Sequence, residues 1–445
     1  MPSKHSLSDL IDAAPVGRYQ WLVFGFCFCV ALLDGFDTQA IAYTGPAILQ
    51  SFGLAPGQLA PILIAGTLGM AIGAMALGSL GDKLGRRPVV LGAVLLFSGA
   101  TTATAFAQTP EHILGLRFLA GLGMGGATPV LLALAAEFSP ARRRGSVVTA
   151  ILLGLPAGAM LGGLLAARMI PVIGWQGIFL VGGLLPMVLW VVLFFALPES
   201  LQFTVVRHGS EGSRKVLPRL SRLLGRTLPD DLQLTVAQRE IHASVRALFA
   251  NGLARNTISL WSTYLFNWVA WFMLLSWLPT VLKAGGLAAS SAPMGSVVVN
   301  AVFIICAIPL SVVLPKTNTR NVLLVLFALG IAVSVGLSLA GANWGLVFVL
   351  IGLAGLGIGG QQIALNYLVV SAYPTALRAT ATGWAIGIGR VGAIVGSACG
   401  GLFLEWGGPS GFFIALVVPL VVATGAVLLI KSQNVQTPHA PVLAH

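Results

Sequence analysis

Trp21–Pro46 reads WLVFGFCFCVALLDGFDTQAIAYTGP, an apolar run of membrane-crossing length with Asp34-Gly35-Phe36-Asp37 at its centre. About 20 apolar residues suffice for a helix to span the hydrocarbon core of a bilayer. A carboxylate placed midway along such a helix costs about 2.5–3.5 kcal/mol on insertion scales. Positions three residues apart share a helical face, with Cβ atoms about 5–6 Å apart. Asp34 and Asp37 therefore fall on one stripe with Thr38, Ile41 and Gly45. Burial and mutual repulsion both work against two ionised carboxylates side by side. Packing offers nothing to offset that cost, so the pair is expected to handle protons or a ligand.

Outward from this helix, the chain repeats the theme. Of its 445 residues, 57% are apolar and only 9% charged, and 55 are glycine. A soluble protein of this length lacks the interior to hide so many apolar side chains, and glycine suits close helix packing in lipid. Apolar windows centre near Val30, Met70, Val94, Gly125, Gly158 and Leu189, then near Trp271, Ile304, Ala332, Gly357, Ala393 and Val421. The expected fold class is an all-α polytopic membrane protein with twelve transmembrane helices in two six-helix bundles. The expected divisions are an N-terminal segment 1–18, a first bundle 19–197, a linker 198–256, a second bundle 257–431 and a tail 432–445. Short helical patterns are expected in the linker around Val236–Phe249.

The formal charge of +12 does not point to nucleic acid, because the basic residues are segregated. With the N-terminus inside, one face carries Lys4, Arg18, Lys83, Arg86, Arg87, Arg142, Arg143 and Arg144, the basic linker, Lys316, Arg320, Arg378 and Lys431. The other face holds only Arg168 and Lys283. Positive residues concentrate on the cytoplasmic side, so both termini are expected in the cytoplasm and the protein in a bacterial inner membrane. Residues 1–17 contain Asp9 and Asp12 and no short apolar core, so no cleavable signal is expected. Cys27, Cys29, Cys306 and Cys399 all lie in apolar spans and read as packing residues.

The loop after the second span reads Gly78-Ser79-Leu80-Gly81-Asp82-Lys83-Leu84-Gly85-Arg86-Arg87-Pro88. It resembles the signature loop of the major facilitator superfamily. Arg117-Phe118-Leu119-Ala120-Gly121-Leu122-Gly123, then Glu137 with Pro140 and Arg144-Gly145, resemble its fourth-helix motif, and Pro198-Glu199-Ser200 closes the sixth span as in many members. The resemblance implies two bundles that alternate access to a central site. Gly78, Asp82, Arg86, Arg87, Glu137 and Arg144 would form a latch whose charge pairs are made in one conformation and broken in the other. Asp34-Gly35-Phe36-Asp37-Thr38-Gln39, Trp277-Leu278-Pro279-Thr280, Tyr373-Pro374-Thr375 and Gly387-Ile388-Gly389-Arg390-Val391-Gly392 are similar to the aromatic acid:proton symporters of that superfamily. That branch imports benzoate-like and hydroxybenzoate-like carboxylates with protons, without a cofactor, and a monomer is expected.

Particular residues then become candidates. Asp34 and Asp37 would couple protons. Arg117, on a face of small groups with Gly121, Met124 and Thr128, keeps its charge at any working pH and needs an anion: Asp34, Asp37 or a bound carboxylate. Arg390 lies deep with no acid near it in sequence and suits two-pronged capture of a substrate carboxylate. Gln361, Gln362 and Asn366 offer amides to a ring hydroxyl or carboxylate, with interhelical hydrogen bonding as the alternative. Trp268, in a stripe with Trp261 and Phe272, and Tyr43 offer aromatic faces. Metal-ligand spacing, nucleotide-binding glycine loops and nucleophile–base pairs are not apparent, so neither a metal nor enzyme chemistry is expected. Two alternatives stay open: a symporter for another organic anion, such as a dicarboxylate or aliphatic acid, and a non-transporting sensor on the same scaffold.

Overall fold

The computed structural model describes residues 4–224, 228–229, 232–236, 244–250 and 252–430. The tail 432–445, Lys431 and positions 237–243 of the expected linker pattern lie outside the described residues. Twelve membrane crossings run through the rest. In the first half they are α1 (Arg18–Phe52), α2 (Ala60–Leu84), α3 (Arg86–Thr104), α4 (Pro110–Phe138), α5 (154–173, preceded by Ala141–Leu152) and α6 (175–196). In the second they are α7 (Ala254–Ala284), α8 (Pro293–Val313), α9 (Thr319–Leu339), α10 (Trp344–Ala354 through Gly360–Ala372), α11 (375–407) and α12 (409–415 and Val417–Leu429). Two of these turns are made by single glycines in left-handed conformation, Gly174 (φ 71°) between α5 and α6 and Gly408 (φ 61°) between α11 and α12. A side chain is strained in that region. The two halves thus break at equivalent places, as an internal repeat requires.

Lipid supplies no hydrophobic drive between helices, so close backbone approach must hold the bundles together. A Cβ on Gly69 or Gly73 of α2 would strike the backbone of α4, and one on Gly121 or Gly125 of α4 would strike that of α2. Gly35 of α1 lies against the Leu155 backbone and Gly158 of α5 against Leu32, so the acid-bearing helix is pinned to α5. The second half repeats this with Gly392 and Gly396 of α11 against Leu265 and Val269 of α7.

The N-terminal segment and linker pack as one layer on the basic face of the first bundle. Strand β1 (Lys4–Ser6) pairs in parallel with β2 (Gln233–Thr235), Lys4 opposite Gln233. The amphipathic linker segment Leu201–Leu224, helical on both sides of a break at Gly209 (φ 53°), buries Val216, Leu217, Leu220 and Leu223 in the same cluster as Leu7, Leu10 and Ile11. Asp12 Oδ1 accepts from Ala141 N at 2.6 Å and ties the segment to the helix before α5. The helical pattern expected around Val236–Phe249 is, where described, a 3-10 turn at Val245–Phe249. It is held by tertiary contacts, Leu248 O accepting from Thr257 and Phe249 edge-on to Trp261.

Among the described residues, the buried core that the two bundles share lies on the face opposite the basic one. On the face opposite the basic one, buried Ile48, Leu49, Leu59 and Ile62 of the first half join the same core as Trp277, Leu278 and Val281 of the second. On the basic side, the first bundle's core (Val23, Val90, Leu131, Leu134) joins the linker helix instead.

Candidate functional site

The two central carboxylates diverge although they share a helix. Asp37 accepts two bonds from Arg117 Nη1, at 3.2 and 3.1 Å. Asp37 is wholly buried and Arg117 is 2% exposed. The guanidinium is held on its other sides by Thr101 Oγ1 of α3, at 2.8 Å from Nη2, and by the Phe179 ring of α6, whose centre lies 5.0 Å from Cζ. Four helices thus converge on one buried ion pair.

Asp34 is equally buried but makes no ion pair among the described residues. Its Oδ2 accepts from Thr128 of α4 at 2.5 Å and its Oδ1 from Thr38 at 3.2 Å. Two hydroxyls solvate a charge far less well than water, so a buried carboxylate here needs a proton or a cation as counter-charge. The cation within electrostatic reach is Arg390. Arg390, half-buried on α11, donates Nη1 to the Met70 carbonyl of α2 at 2.7 Å and so bridges the two bundles. Among the described residues its guanidinium makes no other hydrogen bond, which leaves donors for an anion.

Beside this group lies a cavity of about 30 Å³. Asp37, Thr38 and Gln39 of α1 line it, with Thr67 and Met70 of α2, Arg117 and Met124 of α4, and Phe272 and Ser276 of α7. Among the described residues, the buried Gln39 Oε1 finds no partner. Trp268 stacks on Phe272 (ring centres 5.5 Å apart, 21° between planes) and lies against Gly389, next to Arg390. Its indole nitrogen also lacks a partner.

The other candidates separate by burial. Gln361 is fully buried, accepts from Asn267 Nδ2 at 2.6 Å and donates to the carbonyls of Gly357 and Leu326. Its bond to Gly357 ties it to the π-helical turn at Gly355–Gly359 within α10. Tyr43 is also fully buried and donates its hydroxyl to Ala159 O of α5. Gln362 and exposed Asn366 are bonded at 3.1 Å, and Asn366 Oδ1 also accepts from the Tyr264 hydroxyl at 2.8 Å.

At the basic face, Arg86 reaches Asp82 at 2.7 Å and Glu137 at 3.4 Å, and Glu137 accepts from the Ser200 hydroxyl. Arg87 donates to the Phe194 carbonyl. Gly78 has open space beside it and Arg144 is exposed on Ala141–Leu152. The residue that closes this cluster is Glu199: its Oε1 accepts from the backbone N–H of Arg86 (2.8 Å), Arg87 (3.2 Å) and Ser200 (2.8 Å). A carboxylate there caps the start of α3 and complements its dipole. Sequence reasoning noticed Pro198-Glu199-Ser200 only as a helix end, because 113 residues separate Glu199 from Arg86. Thr128 enters the sequence reading only as a small group on the Arg117 face, and Thr101, an ordinary hydroxyl in an apolar span, carries no signal there.

Known proteins resemble this chain in sequence and in fold. The model of the Major Facilitator Superfamily matches residues 27–390 and 260–442. The chain is 37% identical to the 4-hydroxybenzoate transporter PcaK of Pseudomonas aeruginosa, covering 94% of each chain. It is 36% identical to a gallate transporter of Pseudomonas putida (95% and 94% covered) and 31% identical to the 3-(3-hydroxy-phenyl)propionate transporter of Escherichia coli (93% and 94%). Among solved structures, a D-xylose-proton symporter shares the fold with a TM-score of 0.72 at 15% identity, over 93% of this chain and 97% of that one. A match across both halves, together with relatives above 30% identity over nearly the whole length, places this chain in the major facilitator superfamily, alongside its aromatic-acid transporters.

Proposed function

We propose that the protein is a secondary active importer of small aromatic carboxylates of the hydroxybenzoate type, driven by protons, with its basic face in the cytoplasm of a bacterium. The observation that carries this reading is the asymmetry of the two buried acids. Asp37 is neutralised in place by Arg117 and serves as a fixed strut. Among the described residues, Asp34 has two hydroxyls and no ion pair, with Arg390 the cation whose charge acts on it. An arriving carboxylate and the Asp34 anion compete for the same cation, so a proton on Asp34 frees Arg390 to hold substrate. Binding of the anion and binding of the proton then favour each other, which is the reciprocity that symport needs.

The named substrates of the relatives support an aromatic acid. The stacked Trp268 and Phe272 beside Arg390 offer it a ring face. The Asp82–Arg86–Glu137 cluster, with Glu199, would act as the cytoplasmic latch, its pairs exchanged as the bundles rock.

The test is uptake of labelled 4-hydroxybenzoate into proteoliposomes under an imposed inward proton gradient. Accumulation that a protonophore abolishes is expected. Accumulation that persists with no gradient of protons or substrate, or no uptake of any aromatic carboxylate, overturns the proposal.

A further inference from the structure

Thirteen acidic residues occur in the chain, and Glu405 is the only one after Glu240. The second bundle therefore spends its single carboxylate at the far end of α11, and spends it on the first bundle. Glu405 Oε1 accepts from the backbone N–H of Gly57, in the turn between α1 and α2, at 2.7 Å. The one lysine on the same face of the second bundle does the complementary thing. Lys283, at the end of α7, donates to the Pro46 carbonyl at 3.2 Å and to Gln50 Oε1 at 3.3 Å, both at the end of α1. Beneath them Trp277 lies against Gly400 and Gly401, and Gly401 stands close to Gly57 Cα. Thr280 approaches Gly45, and Val297 with Pro293 of α8 approaches Gly163 of α5.

We propose that Glu405 and Lys283 are the latch of the periplasmic gate, holding shut the face opposite the basic one. Both charges grip α1 or the turn after it across the line that must part when the protein opens outward, and both grips use backbone carbonyl or amide groups at the rim. Charge-assisted bonds of this kind are stronger than neutral ones. Losing one shifts the balance between conformers without touching the Asp34, Asp37, Arg117 and Arg390 group. The inference rests on the orientation proposed above.

The experiment uses a chain whose four native cysteines (Cys27, Cys29, Cys306, Cys399) are serine and whose cavity-lining Ala42 is cysteine. A membrane-impermeant maleimide is added to intact cells and, separately, to inverted membrane vesicles. Glu405→Gln, which keeps an acceptor oxygen for Gly57 but removes its charge, is expected to speed labelling in cells by about three- to tenfold, and Lys283→Met, which removes a charged donor altogether, by about tenfold or more; both should slow it in inverted vesicles. Gly57→Ala attacks the same bond from the other bundle, because a Cβ there would meet Glu405 Oε1 at 2.7 Å. It should give the same effect, and the Gly57→Ala, Glu405→Gln pair should add nothing beyond either single change. Unchanged labelling in both Gly57→Ala and Glu405→Gln overturns the latch, as does an equal rise from both sides, which would signal general loosening. If instead the parent protein labels readily in cells and the variants label more slowly there, the orientation fails and the latch sits on the opposite side.

Discussion

Asp37→Asn would leave the Arg117 guanidinium, 2% exposed, without its carboxylate while changing almost nothing in shape. Breaking one side of a buried ion pair costs about 3–5 kcal/mol, most of it from the charge left uncompensated. Thr101 and the face of Phe179 still hold the cation, and the new amide oxygen still accepts one bond, so the lower end, about 3 kcal/mol, is expected. Asp34→Asn is the matched control. An amide keeps an acceptor for Thr128 or Thr38, no cation is stranded, and the cost should stay within about 1 kcal/mol. Adding Arg117→Met to Asp37→Asn removes the orphaned charge and should recover about 2 kcal/mol, a coupling within the range seen for contacting residues. Unfolding free energies from steric trapping in bicelles measure these three variants, and Arg117→Met alone, on one scale. Equal destabilisation by Asp37→Asn and Asp34→Asn, or a coupling energy under about 0.5 kcal/mol, would refute the division of labour between the two acids.

In transport, Asp34→Asn should abolish gradient-driven accumulation in proteoliposomes while exchange of labelled for unlabelled substrate survives, since exchange never returns an empty carrier; full accumulation would remove Asp34 from proton coupling. Arg390→Lys keeps the charge but loses the two-pronged grip, so affinity for 4-hydroxybenzoate by calorimetry should fall by roughly tenfold or more, in line with a charged hydrogen bond. Asp82→Asn removes a half-exposed pair with Arg86, which contributes at most about 1 kcal/mol to stability. Slowed turnover with near-normal binding and melting is therefore expected, and normal turnover per molecule would exclude a latch role. Gly158→Leu drives a side chain into the Leu32 backbone and should give aggregated protein on size-exclusion chromatography, whereas Gly25→Leu, with open space beside it, should not.

Much of the architecture was legible because lipid simplifies the code. Each apolar window contains a crossing, and each expected centre from Val30 to Val421 falls within one. The exceptions lie in the water-exposed layer, where no long apolar run marks an element. There the linker pairs a strand with the N-terminal segment and uses a 3-10 turn at Val245–Phe249 in place of a helix. Site residues were legible to the extent that they are out of place in their surroundings. Asp34, Asp37, Arg117 and Arg390 stand out in hydrocarbon, whereas Thr101, Thr128 and Glu199 occupy positions where such residues are ordinary.

What the sequence determined by itself is the inventory: which helices cross, which charges are buried, and which face is basic. Each follows from local cost, a charge in lipid or a run of apolar residues, and needs no knowledge of neighbours. Only the tertiary structure decided the partners. Two acids one turn apart on α1 looked equivalent, yet α4 presents an arginine to one and a threonine to the other. Gln361 and Tyr43 looked like ligands for a substrate, yet both spend their polar atoms on neighbouring helices. The physical reason is that pairing depends on how far each helix is rotated and how closely it approaches. Those are set by glycine contacts between segments up to hundreds of residues apart, beyond the reach of any local pattern.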